Sequence, residues 1–301
     1  MTLEQLRIFV AVADREHMTR ASKALGLVQS TVSSAIAALE NRHDVKLFHR
    51  FGRQIQLTDT GRIFLEEAKA VLARSAAAEL ALSEIGGLRA GALSIYASQT
   101  IANYWLPQHL VRFRRSYPKI AVHVSIGNTA QVAKAVLSGH AELGFVEGHI
   151  AAPPLEDTVI KGDRLVIVVG ANHPLAKRRR ISVNDLLELD WVLREPGSGT
   201  RSEFEDALHQ LGVAPQSLRI ALELPSNEAI CAAVESGGGA TAISELVAKA
   251  GFSLKTLRKV PMELPARSFH VLQHQERYQS KAVRALLQIV TGTRNKAVSP
   301  R

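Results

Sequence analysis

A chain of 301 residues is long enough for two or three domains with a sizeable core, and an apolar content of 46% is ordinary for a globular protein. Its single cysteine excludes an internal disulfide framework, and no run approaches the roughly 20 apolar residues of a membrane-spanning helix. The net charge of +9 is unevenly placed: residues 1–90 hold 12 Lys and Arg against 10 Asp and Glu, which leaves +7 for 91–301. The first residues lack the charged-then-apolar plan of a signal peptide, so a cytoplasmic protein with no membrane partner is expected.

In chain order, Thr2–Ala13 reads as an amphipathic helix with a Thr2-x-x-Gln5 capping box and a stripe of Leu3, Leu6, Val10 and Ala13. Thr19–Leu25 is a second short helix that buries Ala21, Ala24 and Leu25, and Gly26 supplies the break after it. In Ser30–Glu40 the apolar Val32, Ile36 and Leu39 recur at helical spacing. The opposite face carries Ser30, Thr31, Ser33, Ser34 and Ala37, with Gln29 at its start. Small hydroxyl side chains let a helix lie deep in a major groove, and Gln can both donate and accept toward an adenine edge. Thr19 and Arg20 open the preceding helix, where a helix-turn-helix crosses the DNA backbone. The bland alternative is an ordinary antiparallel helix pair with a polar outer face. Val45, Leu47, Phe48 and then Ile55 and Leu57 suggest a two-stranded wing whose Arg50 and Arg53 would meet phosphates or the minor groove. From Arg15 to Arg53 there are seven basic residues against three acidic ones.

The run FVAVADREHMTRASKALGLVQSTVSSAIAALENRHDVKLFHRFGRQIQLTDTGRIFLEEA, about sixty residues, resembles the N-terminal winged helix-turn-helix of LysR-type transcriptional regulators. The match lies in the helix pair, the LF-R wing and the LT-x-x-G junction; Asp44 stands where many members have Gly, and Thr31 where Pro is frequent. The resemblance implies a homodimer or homotetramer that reads double-stranded DNA at a partly palindromic operator.

Thr58–Ile85 is predicted as one long helix, capped by Thr58 and stopped by Gly86-Gly87. Phe64, Ala68, Val71, Ser75, Ala78, Leu82 and Ile85 form a near-heptad seam that a lone helix cannot bury, so a self-pairing coiled coil is expected; packing on the chain's own C-terminal domain is the alternative. Gly86, Gly87 and Gly91 would then make a hinge. Beyond it, strands are expected at Leu93–Ala97, Ile120–Ile126, Leu143–Val146, Leu165–Val169, Trp191–Leu193, Arg219–Leu222, Ala240–Ile243 and Phe269–Gln273. They alternate with helices near Ile101–Arg115, Ala130–Leu137, Val183–Leu187, Arg201–Leu211, Asn227–Ser236 and Ser280–Val290, which predicts parallel sheets flanked by helices. The resemblance implies an α/β fold overall: a winged helix-turn-helix domain (1–58), a linker helix and hinge (59–90), and an effector-binding domain (91–301) of two periplasmic-binding-protein-type subdomains, 91–163 with 268–301, and 164–267.

In such sheets ligands bind where strands hand over to helices. Those junctions hold Ser98, Gln99 and Thr100; Asn128 and Thr129; Gly197, Ser198, Gly199, Thr200 and Arg201; and Asn227. Each offers a small hydroxyl or amide at a helix N-terminus, where an anion is favoured, although these residues are also good helix caps. The strings ASQTIANYWLP, GNT, VEG and LREPGSGTR are similar to the LysR-type branch that regulates carbon-dioxide fixation and sulfur metabolism. That resemblance implies a small anionic effector: an inorganic sulfur anion, a phosphorylated sugar or an organic acid. Glu147 is awkward for an anion site and could hold a water, accept from a protonated ligand or pair with Arg201. The rival reading, an enzyme using PGSGTR as a phosphate loop, lacks the Gly-Lys-Ser/Thr of such loops. The 11 histidines show no metal-ligand spacing on a helix and Cys231 lies in an apolar helix, so no catalytic residue, cofactor or metal site is expected. The Lys177–Arg180 run reads as a solvated loop, or as a second contact for DNA or an anion.

Overall fold

The computed structural model describes residues 1–51, 54–85, 91–150 and 152–292, and forms two compact units that divide near residue 88. The expected Arg53 contact and the Gly86-Gly87 part of the hinge lie outside the described residues.

In the first unit, α1 (Leu3–Ala13) begins with the expected reciprocal cap between Thr2 and Gln5. Its buried face differs from the expected stripe: Leu3 is exposed, while Ile8, Phe9 and Val12 join Leu6 and Ala13 inside. The reason is that α1 is covered on more than one side, by α2 (Met18–Leu25), α3 (Gln29–His43) and α4 (Asp59–Ile85), so its apolar arc is wide. In α2, Ala21 is buried but Ala24 faces solvent; Ser22 is buried instead, its hydroxyl donating to the Thr19 carbonyl at 3.0 Å. The wing is the antiparallel pair β1 (Phe48–Phe51) and β2 (Gln54–Leu57), with Phe48 opposite Leu57.

The linker seam is divided. Phe64 stacks on Phe9 with ring centroids 4.8 Å apart and Ala68 is buried, so the first turns of α4 are consumed by their own domain. Lys69 reaches Asp14 at 2.9 Å on the same contact. Val71, Ala78 and Leu82 remain exposed.

The second unit holds two five-stranded sheets. Its elements run β3 (Gly91–Ser98), α5 (Leu106–Ser116), β4 (Ile120–Gly127), α6 (Thr129–Ser138), β5 (Leu143–Glu147), β6 (Leu155–Ile160), β7 (Arg164–Gly170), α7 (Val183–Leu187), β8 (Asp190–Arg194) and α8 (Gly199–Gln210). They continue through β9 (Arg219–Leu224), α9 (Asn227–Glu235), β10 (Ala240–Ser244), α10 (Glu245–Leu254), β11 (Leu257–Ala266), β12 (Phe269–His274) and α11 (Lys281–Thr291). The first sheet is ordered β4-β3-β5-β12-β6 and the second β11-β7-β10-β8-β9. Both are mixed rather than parallel: β12 is antiparallel to β5 and β6, and β7 is antiparallel to β10 and β11. β6, β11 and α10 have no counterpart among the expected elements. β6 and β11 are partly solvent-facing edge strands with charged residues along them, a weak apolar signal. The helix expected over Ile101–Arg115 begins with a π-helical turn at Ile101–Trp105, before α5 takes Pro107 into its first turn.

The chain passes between sheets twice, from β6 to β7 and from β11 to β12. These crossovers touch. A Cβ on Gly162 would stand 2.1 Å from the Arg267 carbonyl oxygen, so only glycine fits. Beside it the Arg267 backbone N–H donates to the Asp163 carbonyl at 3.2 Å.

Candidate nucleic-acid interface and effector pocket

The first unit presents α3 on an anchored base. Val32, Ile36 and Leu39 are buried, leaving Gln29, Ser30, Thr31 and Ser34 exposed and Ser33 half-buried. Thr19 is half-buried and Arg20 exposed. None of the exposed α3 side chains is tied to another described residue, so their donors and acceptors are free for a partner. Val28, 71% exposed at the helix start, adds an apolar tip that can meet a thymine methyl, and sequence reasoning passed over it. Glu40 was also missed. Its buried carboxylate accepts from the backbone N–H groups of Leu47 at 2.8 Å and Phe48 at 3.3 Å, which fixes the wing against α3. Arg50 lies on β1 in the wing.

In the second unit the strand-to-helix junctions of both sheets meet. Ser98 ends β3 and is 3% exposed; its Oγ is buried without a hydrogen-bond partner among the described residues. Thr100 is 1% exposed, and its Oγ1 accepts from Asn227 Nδ2 at 3.1 Å. Gln99 Oε1 accepts from the Asn227 backbone N–H at 2.7 Å, and Asn227 Oδ1 accepts from Arg194 at 3.0 Å. Asn227 therefore joins the subdomains and is more than a helix cap, a task that Ser226 performs by accepting from the Ala229 N–H.

Beside Ser98 on the same sheet, Asn128 and Gln131 cap α6 reciprocally, and Asn128 Nδ2 reaches across to Glu195 Oε1 at 3.4 Å. Gly197, at φ +86°, offers its carbonyl to the Ala130 N–H at 3.3 Å. Thr129 Oγ1 donates to Glu147 Oε2 at 3.5 Å. A Cβ on Gly199 would lie 2.5 Å from Thr129 Oγ1 and 2.8 Å from the Glu147 carbonyl oxygen, so a bare backbone is what lets the start of α8 approach β5. Ser198 and Thr200 are buried, and the Ser198 side chain makes no cap bond to α8.

Arg201 is engaged elsewhere. Its guanidinium donates to Glu205 at 2.8 Å, Glu223 at 2.5 Å and the Arg194 carbonyl at 3.0 Å, which places it against β9 and removes it from the converging group. The pairing of Glu147 with Arg201 is thereby excluded. Glu147 instead faces the field of Arg267, a residue sequence reasoning missed. Arg267 is buried, donates to Asp163 at 2.5 and 3.2 Å, and reaches Thr200 Oγ1 at 3.3 Å. Burial works against its charge, but Glu147, Asp163 and Glu203 outweigh that and hold the guanidinium above its ordinary value. Glu203 is pushed up by burial, with Arg267 opposing. Arg194, also missed, is 5% exposed and pairs with Glu195 at 2.8 Å. It ends β8, three residues before Gly197, whereas Arg267 lies in the crossover from β11 to β12 and carries no local signal.

Asn103 and Tyr104, on the π-helical turn, add a further link between subdomains by donating to Glu228 Oε1 at 3.5 and 3.0 Å. Burial, then that acceptor, raises the Tyr104 hydroxyl to about 12.

A winged helix-turn-helix followed by a long helix and a two-lobed α/β binding unit defines a ligand-responsive transcription regulator. The models of the bacterial regulatory helix-turn-helix protein, lysR family, and of the LysR substrate binding domain match residues 3–62 and 86–294. The chain belongs to the LysR family of DNA-binding transcription regulators. It is 35% identical over 289 residues to the uncharacterized HTH-type transcriptional regulator YeiE of Escherichia coli K12, covering 95% of this chain and 96% of that protein. It is 34% identical over 286 residues to the probable RuBisCO transcriptional regulator of Cyanidioschyzon merolae, covering 93% and 94%. Full-length CbnR complexed with its target DNA shares the fold, with TM-score 0.72 at 22% identity over 96% of this chain and 99% of that one. The Synechocystis PCC6803 CcmR regulatory domain in complex with 2-PG superposes with TM-score 0.61 at 26% identity, over 68% of this chain and 99% of that one. No described helix is long and apolar enough to cross a membrane.

Proposed function

We propose that the second unit senses a small anion, and that its binding alters how an oligomer of this chain sits on a partly palindromic operator. The observation that carries the reading is the Ser98 hydroxyl, buried without a partner at the carboxyl end of β3. Leaving such a group unsatisfied costs about 1–3 kcal/mol, a cost that a bound acceptor removes. Thr100, Ser198, Thr200 and Asn227 supply further donors; Thr100, Asn128 and Thr129 stand on the side of the first sheet, and Gly197, Ser198, Gly199, Thr200 and Asn227 on that of the second. Arg267 and Arg194 stand behind them, and the α8 and α9 N-termini favour negative charge. The likeness to CcmR, whose structure holds 2-PG, supports the same ligand class.

Glu147 and Glu203 set the ligand's limits. Two carboxyl groups near the pocket disfavour a fully dianionic guest unless Glu203 is protonated, as burial already favours. The division of labour is 1–58 for DNA, 59–90 for pairing through Val71, Ala78 and Leu82, and 91–301 for the effector, in a cytoplasmic protein without catalytic activity. Calorimetry of the full chain against sulfate, sulfite, phosphate, phosphorylated sugars, 2-PG and short organic acids tests the reading, together with footprinting of the bound DNA. At least one anion should bind and change the footprint. Uptake of apolar or cationic ligands with no anion bound would refute it.

A further inference from the structure

We infer that His149, Asp157 and His270 form a binding site for a divalent transition-metal ion. The three come from separate segments: His149 follows β5, Asp157 lies in β6 and His270 in β12. β12 lies between the other two strands and pairs with both. His270 is opposite Val159 in the β12–β6 ladder, so Asp157, two residues before Val159, is its diagonal neighbour on the same face of the sheet. His149 Nδ1 is 2.6 Å from Asp157 Oδ2, and His270 Nδ1 is 2.7 Å from Asp157 Oδ1. The potential ligand atoms all fall within 4.8 Å of one another, in what is the one such group among the described residues.

The alternative to a metal is a hydrogen-bonded trio, in which each imidazole donates its Nδ1–H to one carboxylate oxygen. Conversion to a metal site needs little. Moving each ring proton to Nε2 turns both Nδ1 lone pairs toward the carboxylate without net loss of a proton. A tetrahedral ion with bonds of about 2.0–2.2 Å requires ligand atoms about 3.3 Å apart; the two short N–O contacts, made to different oxygens of Asp157, open by about 0.6 Å, and the widest ligand pair, within 4.8 Å, closes by at most about 1.5 Å. The burial gradient suits this movement. The His270 side chain is 9% exposed and Asp157 11%, which holds two ligands in the sheet, while His149 at 68% stands on the solvent side and can adjust. That open side leaves room for an entry path and a water ligand.

The donor set selects the ion. Two imidazoles and one carboxylate suit Zn2+, Co2+, Ni2+ or Cu2+, while Mg2+ and Ca2+ demand more oxygen ligands than this site has. A bound ion would staple the loop after β5 to β6 across β12. The inference does not depend on the anion reading, because none of its three ligands belongs to that set.

The test uses the full chain, freed of metal by chelation and titrated with Co2+ and with Zn2+ by calorimetry and, for Co2+, visible absorption. The expected result is one ion per chain with the absorption of a low-coordinate nitrogen and oxygen site. His149→Ala and Asp157→Asn should each weaken it at least about tenfold. His123→Ala and His209→Ala, both at exposed positions, should leave it unchanged. His149→Ala removes one hydrogen bond from an exposed side chain, so without metal its thermal midpoint should fall by only a few degrees and its circular dichroism should match that of the parent, which separates lost ligation from misfolding. Failure of either ion to bind at equimolar micromolar concentrations would overturn the inference, as would binding that survives both ligand variants.

Discussion

Replacing Ser98 by Ala should move stability and ligand affinity in opposite directions. In the free protein the Ser98 Oγ is buried with no partner, so the chain bears a desolvation cost of about 1–3 kcal/mol. Removing one oxygen opens little volume and ends that cost. Allowing for lost dispersion contacts, the net gain should be about 1 kcal/mol, which raises the melting midpoint of a unit this size by about 2–4 °C. In the complex the same hydroxyl donates to an anion, a bond of about 1.5–3 kcal/mol, so the variant should lose about 10- to 150-fold in affinity. Thermal melting of the unliganded chain and calorimetry with its tightest anion read the two effects separately. A hydroxyl that merely supported the fold would lower both stability and binding; a lower midpoint, or unchanged affinity, refutes the reasoning.

Three further outcomes follow from particular residues. Gln29→Ala should cost about 1–3 kcal/mol on the cognate operator and little on random DNA, measured by electrophoretic shift at fixed salt; equal losses on both would remove Gln29 from base readout. Asp44 caps α3 in the left-handed region at φ 50° and puts negative charge at a helix C-terminus, so Asp44→Gly should stabilise the first unit by about 0.5–1 kcal/mol in denaturant melts; a loss would show that its side chain has a favourable contact. Glu203 has a folded-state pKa raised by burial above its ordinary 4.5, so its contribution to stability is whole at low pH and is lost as pH rises through the folded value. Glu203→Gln should therefore match the parent's melting midpoint in acid and exceed it increasingly toward neutral pH; a gap that widens in acid would contradict that sign.

Much of this protein is written in local pattern. The Thr2–Gln5 cap, the helix break at Gly26 and the apolar spacing of Val32, Ile36 and Leu39 are consequences of residues a few positions apart, and each is legible from those residues alone. The eight strands expected from apolar runs are present: β7 and β10 are buried on both faces and so are almost wholly apolar, while the edge strands β4 and β9 keep apolar residues such as Ile126 and Leu222 exposed. Pairing direction is not legible in that way. β7 and β12 run antiparallel to their neighbours because the chain crosses between sheets beside Gly162 and again beside Arg267, and nothing in the strands' own composition records a crossover. The candidate pocket divides along the same line. Ser98, Thr100, Thr200 and Asn227 stand out because strand-to-helix junctions are visible in sequence. Arg201 sits at the right junction, but its guanidinium is held by Glu205 and Glu223, partners that only folding brings within reach. Arg267 takes its place beside Thr200, although 67 residues separate the two along the chain. Electrostatic partners chosen across such separations follow from three-dimensional distance and burial, so tertiary structure alone decides which cation stands behind the pocket.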